Sequence, residues 1–146
     1  VWLAGFRIHE RKVGHFRHGR VFLAGDSAHI HSPAGGQGMN TGMQDTYNLA
    51  WKLALVQRGQ ARDTLLDSYD LERGGVAEMV LRNAGLMTRA ATLRNPLAQQ
   101  LRNRAYALLG SLEVVQHRIG EAMSELGIHY RDSPLSGEHR GRAAHA

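Results

Sequence analysis

Apolar positions recur at different spacings along the chain, and each spacing predicts a different element. Between Val1 and Arg11 they alternate loosely, with Phe6 and Ile8 apolar and Arg7 and His9 polar. That alternation predicts a short strand. Val21–Ala24 is a compact apolar run closed by Gly25, which reads as a buried strand. From about Thr41 to Gln57 the spacing becomes helical, with Tyr47, Ala50, Trp51, Ala54 and Leu55 as the expected apolar stripe. Thr41 and Gln44 have capping-box spacing, and Asn40 is an equally good cap. Arg58 and Gly59 supply a basic last turn and a stop.

A second helix is expected from Asp63 or Thr64, carried by Leu66, Tyr69, Val76, Val80 and Met87. Gly74 and Gly75 are candidates to kink or break it. Pro96 suits the first turn of a third helix, where a missing N–H does no harm. Its stripe runs through Leu97, Leu101, Leu108, Leu112, Val115, Ile119 and Leu126, with Gly127 as the stop. Tyr47 and Trp51 are expected in the core. Val13–Arg20 and Asp26–Gly42 read as irregular, and no internal repeat is visible.

Composition changes this picture little. The 146 residues are 42% hydrophobic and 21% charged, which is ordinary for one globular domain with a real core. The formal charge of +5 is scattered along the chain, with acids near the arginines at helical spacing. It therefore argues against a nucleic-acid surface, which calls for clustering on one face. No run approaches the roughly 20 apolar residues of a membrane span. With no cysteine there is no disulfide framework and no thiolate metal site, in keeping with a reducing cytoplasm. The chain opens inside an apolar run without a methionine and closes in a Gly/Arg/Ala/His-rich stretch. Both ends read as cut, with residues 136–146 as a linker or disordered tail.

The chemistry concentrates in Gly19–Asp45, GRVFLAGDSAHIHSPAGGQGMNTGMQD. A strand ending at Gly25 delivers Asp26 to a sheet edge, where ligands of open α/β sheets gather. A carboxylate there accepts hydrogen bonds from sugar or polyol hydroxyls. Gly25, Gly35, Gly36, Gly38 and Gly42 permit close backbone approach beside a helix start. The free N–H groups and partial positive charge of that helix start suit an anion or an electron-rich carbonyl. A phosphate loop is excluded in detail, because no Gly-Lys-Ser/Thr follows, and Gly36, Gly38 and Gly42 give only GxGxxxG. His29 and His31 form too small a set for a metal. His29 is expected to pack and hydrogen-bond beneath the loop.

The combination Gly25-Asp26, Ser27-Ala28-His29, Pro33 and Gly35–Asn40 (GGQGMN) resembles the second flavin-binding motif of the FAD-dependent aromatic hydroxylases, the phenol hydroxylase and para-hydroxybenzoate hydroxylase group. The following QDTYNLAWKLA, then LDSYDLER (Leu66–Arg73) and SELGIHYRDSPL (Ser124–Leu135), extend the likeness over nearly the whole chain. The resemblance implies an α/β parent fold of the FAD/NAD(P)-binding, glutathione-reductase-like kind. Residues 1–135 would be the C-terminal part of its FAD-binding domain, mostly helical with two or three short strands at the N-terminal end.

In such enzymes the motif's aspartate, here Asp26, binds the ribityl chain, and the helix start, here Gly38, Met39 and Asn40, donates to the flavin's pyrimidine carbonyl. Pro33 lies beside the flavin ring. The implied cycle is reduction by NADPH or NADH, reaction with oxygen and oxygen transfer to a small aromatic substrate. The cofactor supplies the hard chemistry, so no side chain is assigned as a catalytic acid or base. The family's GxGxxG pyrophosphate unit is absent from these residues, so the fragment is expected to be inactive alone. The competing expectation is a helical interaction module that keeps a relic flavin motif and forms a homo-oligomer through the Leu97–Leu126 stripe.

Overall fold

A computed structural model describes residues 9–34, 36–125, 127–130 and 133–136, without the side chains of Ala122 and Met123. The strand expected at Val1–Ile8, Gly35, Leu126 and most of the expected tail lie outside the described residues. Four two-residue strands open the fold: β1 (Arg11–Lys12), β2 (Arg17–His18), β3 (Val21–Phe22) and β4 (His29–Ile30). β2 and β3 form an antiparallel hairpin, and β1 pairs antiparallel with β4 in the register Arg11–Ile30 and Lys12–His29. Four helices follow: α1 (Gly38–Gln57), α2 (Asp67–Ala91), α3 (Pro96–Leu109) and α4 (Glu113–Ser124). The mostly helical architecture with short leading strands is the one expected. The stretch Val21–Ala24 is not the buried strand expected, because only two of its residues are paired and Val21 is exposed.

A small apolar core forms where the strands meet α2. Phe16, Ala28, Tyr69 and Ala77 are buried there, with Val13, Phe22, Leu23 and Leu49 packed around them. Tyr69 donates its hydroxyl to the Leu23 carbonyl at 2.7 Å. The Phe16 N–H donates to Asp70 Oδ1 at 2.6 Å. Arg17 bonds both Asp63 and Asp67, fixing the hairpin to the 3-10 turn and first turn that lead into α2. Acids in a first helical turn also complement the dipole.

α1 does not bury the stripe expected of it. Thr41, Asp45, Asn48 and Lys52 are its buried residues, a 4-3-4 spacing that marks one helical face. Tyr47 and Trp51, expected in the core, are 78% and 40% exposed. The reason lies on α2, which opposes α1 with two buried charges. Lys52 Nζ donates to Glu72 Oε2 at 2.6 Å and Asn48 Nδ2 to the same oxygen at 2.7 Å. Ser133 Oγ donates to Glu72 Oε1 at 2.6 Å. A polar face that satisfies every charge it buries can displace an apolar one.

The helix ends show local sequence control. α1 begins at Gly38 rather than near Thr41, with Gln37 at the cap position and no side-chain cap bond. The Thr41 hydroxyl instead lies 2.9 Å from both the Gln37 carbonyl and Glu125 Oε1. At the other end Gly59 adopts φ +69°. Its N–H bonds the Val56 carbonyl at 3.0 Å, and that of Gln60 bonds Leu55 at 2.9 Å, the Schellman pattern that requires a left-handed residue. α2 runs unbroken through Gly74 and Gly75, because burial against the strands holds what propensity weakens. Pro96 opens α3, as expected, and Asn95, which the sequence pattern did not single out, caps it by accepting from the Leu97 and Ala98 N–H groups. The single long helix expected from Leu97 to Leu126 is two: Gly110–Leu112 interrupts it, and α4 stops at Ser124 with Glu125 left-handed at φ 57°. No residue of α3 and no described side chain of α4 is buried.

Two outcomes follow from the Lys52–Glu72 pair. Lys52→Met leaves a buried carboxylate without its counter-ion, and we expect a loss of about 3–5 kcal/mol in chemical denaturation. Lys52→Met with Glu72→Leu should recover at least half of that loss, since apolar replacement of a whole buried pair is commonly close to neutral. Burial alone raises the Glu72 carboxyl, but the bonds from Lys52, Ser133 and Asn48 outweigh it and hold the group below its ordinary 4.5. A depressed carboxylate contributes fully above its unfolded value, and that stability is lost as pH falls through the lower folded value. The denaturation midpoint should therefore be level down to about pH 5 and decline below it, with a shallower decline in Glu72→Gln.

Candidate functional site

Asp26 lies in a 3-10 turn, Gly25–Ser27, between β3 and β4. The turn is closed by the Ala28 N–H on the Gly25 carbonyl at 2.8 Å and by Ser27 Oγ, which donates to the Ala24 carbonyl at 2.8 Å and accepts from its N–H at 3.1 Å. Gly25 enters it at φ +58°, a conformation that disfavours any side chain. The Asp26 carboxylate is exposed, and no described residue donates to it.

The N-terminus of α1 faces this turn. A Cβ built on Gly42 would stand 3.3 Å from the Gly25 Cα, so the absence of a side chain lets the helix and the turn touch through their backbones. Thr41 donates the first backbone bond of the helix, to Gln37 at 3.0 Å. Among the described residues nothing accepts from the N–H groups of Gly38, Met39 and Asn40. They form the positive end of a 20-residue helix.

Two adjoining clefts meet at Asp26, Gly38 and Met39. The larger, about 610 Å³, continues along α1 past Gly42, Met43, Thr46, Tyr47 and Ala50. The smaller, about 410 Å³, is lined by Ile30, His31, Pro33 and Gly36 as well. Gly36, at φ +66°, closes a turn with its N–H on the Pro33 carbonyl at 3.0 Å. Of the residues singled out by sequence, Gly25, Asp26, Pro33, Gly36, Gly38 and Met39 thus come together around one junction. Asn40 sits on the first turn of α1 and is exposed, but its side chain lines neither cleft. An unpartnered carboxylate beside unpartnered N–H groups fits a ligand that carries hydroxyls next to an electron-rich carbonyl.

The scaffold beneath the junction was not legible as a site. Asp45 is completely buried. Its Oδ2 accepts from the Gly25 N–H at 2.9 Å and from His29 Nε2 at 2.8 Å. Its Oδ1 accepts from Arg73 Nε at 2.6 Å. Arg73, also fully buried, reaches the Thr41 carbonyl at 3.2 Å, Gln44 Oε1 at 3.3 Å and the Tyr130 hydroxyl at 2.9 Å. Burial raises the Asp45 carboxyl, but the bonds from His29, Gly25 and Arg73 outweigh it and hold it below its ordinary 3.8. His29 has the packing and hydrogen-bonding place expected of it, with its ring stacked between Phe16 and His31. His31 Nδ1 lies 2.9 Å from the Ser32 carbonyl, and its buried Nε2 has no hydrogen-bond partner among the described residues. The signal for Asp45 was present in the sequence as the polar 41-45-48-52 spacing on α1. Among the described residues no group of three His, Cys, Asp or Glu side chains could hold a metal ion, and no helix is long and apolar enough to cross a membrane.

Similar proteins are found both by sequence and among solved structures. The chain is 48% identical over 140 residues to 6-methylpretetramide 4-monooxygenase of Streptomyces rimosus, covering 93% of this chain and 25% of that protein. It is 51% identical over 86 residues to pentachlorophenol 4-monooxygenase of Sphingobium chlorophenolicum, covering 59% and 16%. Among solved structures, an aromatic hydroxylase from angucycline biosynthesis superimposes with a TM-score of 0.77 at 42% identity, over 89% of this chain and 26% of that one. The anhydrotetracycline hydroxylase of Streptomyces rimosus gives 0.75 at 40% identity, over 90% and 26%. The chain therefore spans about a quarter of the length of such relatives. The family model described as an FAD binding domain matches residues 1–84, more than half of the chain, and establishes that the chain belongs to this FAD-binding-domain family, while the relatives it matches are monooxygenases and hydroxylases.

Proposed function

We propose that this chain is the part of a flavin-dependent monooxygenase that holds the ribityl chain and ring of FAD, in an enzyme that hydroxylates a small aromatic compound with NAD(P)H and O2. The observation that carries this reading is the junction itself, where Asp26 and the first turn of α1 line the same two clefts and, among the described residues, neither the Asp26 carboxylate nor the N–H groups of Gly38, Met39 and Asn40 have a partner. In this reading Asp26 accepts hydrogen bonds from ribityl hydroxyls. The N–H groups of Gly38, Met39 and Asn40 face the pyrimidine edge of the flavin, where a helix N-terminus stabilises negative charge. Pro33 lines the reaction side of the ring, and Gly25 and Gly36 keep the backbone close to it. FAD, when bound, supplies the redox and oxygen chemistry. The protein's share is to bind it, orient it and place fixed positive charge beside it.

Residues 1–135 are then the C-terminal part of an FAD-binding domain and 136–146 a linker. The sequence has no GxGxxG, so the pyrophosphate and adenosine are assigned to segments outside these residues, and the 146-residue chain is inactive by itself. The lack of cysteine suits work in the cytoplasm. A second reading, a helical interaction module that self-associates, draws on α3 and α4, where Leu97, Leu101 and Leu108 are exposed.

Flavin titration tests the first reading. With only ribityl and ring contacts available, riboflavin, FMN and FAD should bind this chain weakly and within about threefold of one another. Asp26→Asn, which removes a charged acceptor, should weaken each by about tenfold. Submicromolar FAD binding with much weaker riboflavin would place a pyrophosphate site in this chain and overturn the division. Sedimentation of a dilute sample tests the second reading, for which a concentration-dependent oligomer is expected and a clean monomer counts against it.

A further inference from the structure

Asp26 makes no hydrogen bond of its own among the described residues, so its aim is set by the backbone on either side. On one side the turn closes on itself through Ser27 and Ala28. On the other, the Gly25 N–H is held at 2.9 Å by the buried carboxylate of Asp45. Asp45 is a residue of α1, seven positions after Gly38, where the free N–H donors of that helix begin. The same side chain thus joins the two halves of the junction. Arg73 completes the connection from α2, holding Asp45 Oδ1 at 2.6 Å and the Thr41 carbonyl in the first turn of α1 at 3.2 Å.

We propose that Asp45, fixed by Arg73, is a positioning residue for the flavin site: it sets the Gly25–Asp26 turn at a defined distance and angle from the N-terminus of α1. The inference rests on the flavin reading of the junction and goes beyond it, because neither Asp45 nor Arg73 faces the clefts. Three features favour positioning over mere support. The bond to Gly25 N–H is charge-assisted and therefore short and directional. Gly25 is at φ +58° with its Cα against Gly42, so Gly25 has no side chain with which to hold the turn to the helix. His29 uses the same Asp45 oxygen at 2.8 Å, so the strand that follows the turn is tied to the same point. A site whose groups come from two elements depends on the residues that fix those elements together.

Glu72 provides the control. It is an equally buried carboxylate on the same helix pair, bonded to Lys52, Asn48 and Ser133, and it touches neither the turn nor the first turn of α1. We expect Asp45→Asn to lower FAD affinity by about tenfold or more, to change the visible circular dichroism of the bound flavin, and to speed amide exchange at Gly25. Glu72→Gln should reduce stability yet leave affinity per folded molecule within about twofold and Gly25 exchange unchanged. Arg73→Lys keeps the charge but loses the planar fork, so it should fall between the two and serves if Asp45→Asn does not fold. Equal affinity loss in Asp45→Asn and Glu72→Gln, or no loss in Asp45→Asn and Arg73→Lys, overturns the proposal while leaving the flavin reading intact. Wild-type chain that binds neither FAD nor riboflavin overturns that reading first, and the proposal with it.

Discussion

The buried carboxylate of Asp45 is the constraint on which the rest of the structure depends. A carboxylate without solvent is costly unless its lone pairs are met, and here a backbone N–H, an imidazole and a guanidinium meet them. Each partner comes from a different element: the Gly25 turn, β4 and α2. Satisfying one charge therefore fixes the relative placement of four segments. The small apolar core around Phe16 and Tyr69 supplies general cohesion, but dispersion and area burial are not directional. Directional information about the turn and the helix start comes from the ionic cluster. The short strands alone, at two residues each, hold little register of their own.

This arrangement explains why α1 faces inward with its charges. An amphipathic helix normally buries the apolar side, and the face with Tyr47, Ala50 and Trp51 is the wider one on this helix. Yet Glu72 and Arg73, adjacent on α2, both need counter-charges once that helix packs against the core through Tyr69, Val76 and Ala77. α1 offers Asp45 and Lys52 seven residues apart, two turns along one face. The pairs Asp45–Arg73 and Lys52–Glu72 then match in sign along the helix contact. Sliding α1 by one turn would oppose like charges or leave a charge bare, so the two pairs specify register more sharply than packing of Leu and Val would.

Much of the site was legible in the sequence because its chemistry is local. A strand end, Gly25-Asp26, a glycine-rich turn and a helix start lie within about twenty residues, so the groups that meet at the junction stand close together in the sequence. Pro96 and Gly59 likewise announced helix ends through backbone rules that need no tertiary context. The rest failed where a partner decided the outcome. The orientation of α1 depended on two charges 20 and 28 residues downstream of their partners. The start of α1 at Gly38 was hidden because Gln37 caps without a side-chain bond. The leucine stripe from Leu97 kept helical spacing across Gly110–Leu112, so periodicity joined two helices that the backbone separates.

The inversion of α1 also bears on the cofactor cleft. If the apolar face of α1 had turned inward, Met39, Met43 and Tyr47 would be spent on the core and the helix would present Asp45 and Lys52 to the cleft. A flavin ring beside those charges would meet strong and opposite fields within two helical turns. With the charges neutralised inside, the cleft running from Asp26 is instead walled by Met39, Met43, Tyr47 and Ala50, a polarisable and aromatic surface suited to a flat conjugated ring. No Lys or Arg is among the described residues that line the two clefts, and the positive field there is that of the helix N-terminus. The ionic cluster thus has two consequences of one geometry: it aims the Asp26 turn, and it turns the apolar side of the helix outward to where a planar cofactor can lie.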